Sequence, residues 1–410
     1  MMNVKKTVLV LLSAILCLTA VGCGKGEPTE TQNKTDKDPV VETTAQTEAD
    51  SETDSKPETA TNETEAAPDK ETEVPSKETE APDETEPEAA ETEVVRLYDY
   101  LNGKTVTAEE QSKRPVAIML NNIKDCLPQN SLTKGDIFYE FPVEGGITRI
   151  MMLVSDYANL DIVGSVRSSR DYFVDMLHTH DALYIHAGGS PIAYDKLMDL
   201  NINKLDAVTM YIPDMFYRDQ YRLQYMAAEH TLMTTGQRIV DGIKFLNYET
   251  EHKDSFKPSF QFYDENTDNV FEGPTASHIH MNSTFLQTVD FVYNEETGEY
   301  LRYQYNGIPH VDGLTGEQLS VKNVVILFGD VALIPGDSKG RLSVVTVGGG
   351  EGYYFTNGVR MDINWSREDL TAPLKLTTED GGDLIFNCGK TFICVVDKSV
   401  AGGIDFNYSW

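Results

Sequence analysis

Between Gly24 and Val94 the chain has no aromatic residue, and a stretch of that length without large apolar side chains cannot bury a core. It is built of Thr, Glu, Pro and Ala, with "ETE" recurring at 63, 71, 78, 84 and 91, and it carries 23 acidic residues against 6 basic ones. Low hydrophobicity combined with high net charge cannot offset chain entropy, so the segment is expected to be disordered. The repeats have nothing with which to stack, which excludes a solenoid. A coil of about 70 residues spans on the order of 50 Å, and more when like charges repel. Residues 23–94 therefore read as an acidic tether, and any fold must come from residues 95–410, which hold all the aromatic side chains.

What precedes the tether has the form of an export signal. Lys5 and Lys6 lead into an apolar run, Val8 to Val21, too short for a comfortable membrane span and of the length of a signal-peptide core. The run ends "LTAVGCG", which resembles a bacterial lipobox, with Ala20 at a position where such boxes more often carry Leu. This assigns residues 1–22 to a lipoprotein signal peptide and Cys23 to lipidation. An ordinary secretory signal is the alternative. The expected location is the cell membrane, lipid-anchored and facing away from the cytoplasm, with the bilayer as one partner through Cys23.

Residues 95–410 carry 43 acids and 26 bases within a chain of net charge −32, which argues against nucleic acid as a partner. Cys126, Cys388 and Cys394 are an odd number for an exported protein and read as inert thiols. A Cys388–Cys394 bridge is the alternative. Short runs rich in β-branched and aromatic residues, "VAIML" (116–120), "DIFYEFPVE" (136–144), "TRIMMLVS" (148–155), "DIVGSV" (161–166) and "ALYIHA" (182–187), read as strands, with Gly145-Gly146 as a tight hairpin turn. Helices are expected over "SRDYFVDMLHTH" with Ser169 as cap, over "PIAYDKLMDL" with Ser190 as N-cap and Pro191 at N1, and over "TTGQRIVDGIKFL" from a Thr cap. After Lys257 only strands separated by Gly, Asn and Asp turns are expected. The fold class is α+β: an N-terminal layered β/α domain of ββα type over 95–250, a connecting segment 251–278, and a mostly antiparallel β domain over 279–400.

"RPVAIMLNN", "PQNSL", "DIFYEFPVEGGITRIM", "GSVRSSRDYF" and "IHAGGSP", in that order, are similar to the N-terminal domain of the YerB-like bacterial lipoproteins, a domain of unknown function numbered 3048. "GEYLRYQYNGIPHVD", "GEQLSVKNVVI", "GRLSVVTVGGGEGYYFTNG" and Trp365 resemble that family's C-terminal domain. The resemblance covers about Arg114 to Asp397 and implies the layered fold and a lipoprotein. It supplies no catalytic residues.

The first functional candidate is an anion site. "IHAGGSP" runs from a strand through two glycines into a helix N-terminus, where free N–H groups favour an anion. Upstream, "VRSSR" sets two guanidiniums beside two hydroxyls. The candidate set is Arg167, Ser168, Ser169, Arg170, His186, Gly188, Gly189 and Ser190. The competing reading pairs the arginines with Asp171, Asp175 or Glu140 and leaves the turn purely structural. Asp136, Glu140 and Glu144 share one face of their strand. Their spacing of about 13 Å exceeds the roughly 5–9.5 Å of glycosidase acid pairs, and a solvated edge strand explains them better. His278 and His280, with His310 and Asp312, raise zinc as an alternative, but nothing forces the two stretches together, and no metal or cofactor is assigned. Ser190 lacks the GxSxG elbow. The expected function is a non-enzymatic binding module for a small anion or an anionic wall fragment. The alternatives are a scaffold for another envelope protein and a cell-wall hydrolase using His186 and the Glu140 face.

Overall fold

The computed structural model describes residues 96–410, so the signal peptide, the tether and Cys23 lie outside the described residues. Within them the strands β1 (Val116–Asn121), β2 (Ile137–Val143) and β3 (Ile147–Val154) form an antiparallel group. Gly145 and Gly146, at φ 78 and 73°, make the turn between β2 and β3. There follow β4 (Ile162–Gly164), α1 (Asp171–Thr179), β5 (Leu183–His186), α2 (Pro191–Asp199), β6 (Lys204–Asp206), β7 (Tyr217–Arg218), β8 (Leu232–Thr235) and α3 (Gly236–Phe245). The Ser190 side chain accepts from the Ala193 amide and Thr235 from the Arg238 amide, as capping residues do. Helix α1 differs from expectation: Arg170, not Ser169, is its N-cap, because the Ser169 hydroxyl is turned inward to accept from Tyr184.

The remainder is strand and loop: β9 (His278–Asn282), β10 (Thr288–Asn294) and β11 (Glu299–Gln304) form an antiparallel meander. Then come β12 (Asn323–Gly329), β13 (Gly348–Thr356), β14 (Val359–Arg367), β15 (Lys375–Thr378) and β16 (Thr391–Asp397). Ten of these strands build one sheet in the order β15-β14-β13-β12-β16-β2-β3-β1-β5-β6. Strand β16 lies parallel to both β2 and β12, and so joins strands from the two ends of the folded chain. The chain is α+β, and its sheet is continuous across residues 251–278.

Both faces of the sheet are covered, which is why its central strands read as near-continuous apolar runs. Side chains alternate along β1: Val116, Ile118 and Leu120 join the layer built with the meander and α3, whereas Ala117 and Met119 join the layer that holds Tyr172, Phe173 and Leu177 of α1. Strand β2 is central and wholly buried, not the solvated edge its alternating acids suggested. Glu140 is only 2% exposed and bonds Arg302 Nη2 at 2.7 Å, so a buried ion pair links β2 to β11. Pro142 is tolerated because β16 pairs with β2 only as far as Glu140. Among the described residues no helix is long and apolar enough to cross a membrane.

Candidate functional site

Strands β1, β5 and β6 run parallel and end together. In open sheets with parallel strands, ligands settle beyond the carboxyl ends, where neighbouring strands part. Here β1 pairs with β5 only over Val116–Ile118. Further on, residues 165–169 are wedged between the two strands. The Asn121 amide donates to Ser165 O (3.0 Å), the Arg167 amide to Met119 O (2.9 Å), the Ala187 amide to Arg167 O (2.9 Å) and the Ser169 amide to Gly188 O (2.8 Å). This wedge carries "RSSR" to the mouth of the sheet. The antiparallel neighbour β3 begins at the same place, with Arg149 opposite Asn121.

Three guanidiniums consequently meet. Arg170 forks onto Glu144, with Nε to Oε1 at 2.6 Å and Nη2 to Oε2 at 2.8 Å. Arg167 donates to the Glu229 carbonyl (3.2 Å) and lies 3.7 Å from its carboxylate, while its Nε is buried without a partner. Arg149 is 5% exposed and donates to the Ser168 carbonyl at 2.8 Å. Among the described residues it makes no ion pair: Glu144 is held by Arg170, and Glu229 lies beside Arg167. Burial first, and then the charges of Arg170 and Arg167, pull the Arg149 guanidinium down to about 10. The Glu144 carboxyl, which burial would raise, is brought below its ordinary value by Arg170 and Arg149.

Beside the cluster, Asn121 Nδ2 lies 2.7 Å from His230 Nδ1. An amide nitrogen only donates, so His230 accepts at Nδ1 and carries its proton on Nε2, which is 3.6 Å from Glu229. Burial and Arg167 keep this imidazole below its usual value. The site thus gathers three guanidiniums, the carboxylates of Glu144 and Glu229 and a neutral histidine, and its excess of one positive charge suits an oxyanion.

The glycine turn is a different matter. Asp206, the last residue of β6 and fully buried, fills it from within: Oδ1 accepts from the Gly188 amide at 2.7 Å and from Val208 at 3.1 Å, and Oδ2 from Thr209 and from the Tyr194 hydroxyl at 2.7 Å. The Gly188 amide therefore already holds an anion that belongs to the protein, and the Ser190 amide is spent on the Ser169 carbonyl. His186 is sealed in the same place, its Nδ1 2.9 Å from Gly188 O, and burial lowers its pKa. Of the expected set, Arg167, Ser168 and Arg170 come together, whereas Ser169, His186, Gly188, Gly189 and Ser190 serve the framework. Arg149 and Glu229 were not anticipated, and Asn121, Glu144 and His230 were not expected at this site. A lone arginine in the apolar run "TRIMMLVS" was the one signal that could have drawn attention to the site. His278 and His280 converge on Asp290 Oδ1 at 3.2 and 2.6 Å. His310 lies apart from them, between Arg302 and Gln129. Among the described residues no three such side chains are placed to hold a metal ion.

Residues 101–249 match the N-terminal domain, and residues 279–393 the C-terminal domain, of the protein family of unknown function DUF3048. The chain belongs to this family. It is 27% identical over 305 residues to YerB of Bacillus subtilis (strain 168), a protein whose name is that of a lipoprotein. The match spans 74% of this chain and 87% of that one. The crystal structure of YerB from Bacillus subtilis superimposes with a TM-score of 0.65 at 24% identity, over 76% of this chain and all of the other, so the two share a fold.

Proposed function

We propose that this DUF3048 chain is a lipid-anchored envelope protein that binds an anion at the Arg149–Arg167–Arg170 cluster. The lipobox-like "AVGC" supports an anchor at Cys23, and the composition of residues 24–94 supports their reading as a tether. The name of the Bacillus relative supports the lipoprotein reading. One observation carries the anion reading: a guanidinium 5% exposed, facing two others, whose hydrogen-bond partner is a backbone carbonyl. A buried charge is normally matched by an opposite one. In a chain of net charge −32, a bound oxyanion would supply the opposite charge that Arg149 lacks, and its place beside Arg167 and Arg170 distinguishes it from Arg367, which is also buried against backbone carbonyls alone.

The hydrolase reading loses its residues, since His186 is fully buried and Glu140 is committed to Arg302. Two observations favour the scaffold reading: Glu144 occupies the Arg170 fork with Glu229 beside Arg167, and an apolar groove of about 590 Å³ is lined by Val143, Phe285, Leu333 and Leu342.

Thermal melting against phosphate, citrate and chloride tests the anion reading. At 100-fold excess over Kd, a ligand of the native state adds about 2.7 kcal/mol. Phosphate or citrate is expected to raise the Tm of the parent and to leave Arg167→Gln unmoved. Equal shifts in the two proteins would refute the assignment.

A further inference from the structure

The loop between β6 and β8, residues 207–231, brings Glu229 and His230 to the arginine cluster. It is firmly held. Arg222 is 6% exposed and donates to Cys126 O (3.2 Å), Pro128 O and Asn130 Oδ1 (both 2.8 Å), beyond the end of β1. Asp219 accepts from the Tyr221 and Arg222 amides and so closes the turn that starts this stretch.

On this fixed support three tyrosines face solvent: Tyr211 is 84% exposed, Tyr221 70% and Tyr225 59%. Tyr221 and Tyr225 pack edge to face with ring centroids 5.3 Å apart. Exposed aromatic rings grouped on a pinned loop contribute nothing to the core, and such groups mark interaction surfaces. Rings of this kind present flat π faces with a hydroxyl at the edge, the chemistry that packs against the C–H faces of pyranose sugars. The same segment reaches the cationic cluster through Glu229 and His230, and guanidiniums there fit carboxylate and phosphate oxygens. The two chemistries together match a ligand that carries sugar rings and oxyanions along one chain.

We infer that the loop 207–231 and the arginine cluster together bind an anionic glycan strand, with sugar rings on Tyr221 and Tyr225 and an oxyanion at Arg149 and Arg167. The inference rests on the anion reading above and extends it to a ligand class. The oxyanion is a phosphodiester or a uronate carboxylate.

Titration calorimetry on the full chain tests it with four probes: inorganic phosphate, an oligogalacturonate, an oligosaccharide with phosphodiester links, and neutral dextran. The expected result is that one of the anionic oligosaccharides binds at least about tenfold more tightly than phosphate, and which one does so identifies the oxyanion. Replacing Tyr221 and Tyr225 together by Ala should remove that gain and leave phosphate binding intact. Replacing both by Phe should restore it, since stacking needs the ring and not the hydroxyl. Unchanged oligosaccharide affinity in the Ala variant, or equal binding of dextran, would overturn the glycan assignment while phosphate binding preserved the anion site. Failure of phosphate and of both oligosaccharides to bind the parent would overturn the two together.

Discussion

Arg149 holds the least compensated charge of the site, and its substitution should show this. Removing a buried ion that lacks an opposite partner relieves desolvation, so Arg149→Met is expected to stay within about 1 kcal/mol of the parent in anion-free buffer. Arg170→Met is the contrast: it strands Glu144 and should cost about 2–3 kcal/mol in urea unfolding. A second residue-scale consequence concerns Asp136, which accepts from Asn102 Nδ2 at 2.9 Å and from the Ser155 amide at 2.9 Å. Burial first, and the charge of Asp99 second, push its carboxyl from 3.8 up to about 6. A folded value above the unfolded one means that its stabilisation is full below about 3.8 and is lost as pH rises through about 6. Asp99→Asn removes the neighbouring charge and Asp99's own raised titration, so the stability difference between pH 5 and pH 7.5 should shrink relative to the parent. An unaltered difference would mean that the Asp99–Asp136 pair does not contribute to the pH dependence. Arg167 and Arg170 could be read from the sequence because a strand-to-helix junction gathers them within four residues. Arg149 could not, because what surrounds it depends on two other strands.

Elements show the same division. Helices α2 and α3 were legible because their caps are local: Ser190 before Pro191, and Thr235 before Gly236. Replacing Ser190 by Ala should cost about 1 kcal/mol, the ordinary value of a lost N-cap bond. Strand β2 was misplaced for a physical reason. Acids at alternate positions look solvated, but Glu140 is neutralised by Arg302, 162 residues further on, and no local pattern reveals that. The glycine turn was recognised as a helix start, yet its occupant Asp206 reaches it only through the parallel pairing of β5 and β6. Asp206→Asn turns an amide NH₂ toward donors and leaves at least one buried N–H unmatched. We expect a loss of about 2–3 kcal/mol and faster amide exchange at Gly188. Unchanged exchange there would contradict the role given to the carboxylate.

Over the whole molecule, the two DUF3048 segments are bound by more than adjacency. Strand β16 enters between β2 and β12, and Glu140–Arg302 crosses from one segment to the other in the buried layer. Each single Ala substitution in that pair leaves a buried charge and should cost about 3–5 kcal/mol. The double variant should cost clearly less than the two single losses added together, as double-mutant cycles report for contacting groups. Full additivity would show that the two groups do not stabilise one another. This linkage was not legible because it joins residues far apart in sequence. The alternation of short strands and helices, by contrast, was enough to place the chain among α+β folds.

The account turns on a counter-charge for Arg149, and calorimetric titration of inorganic phosphate into the full chain and into Arg149→Met tests it most directly. It predicts a single saturable site in the parent and none in the variant. Equal binding by both proteins, or no binding by the parent to phosphate or any of the other oxyanions, would contradict it.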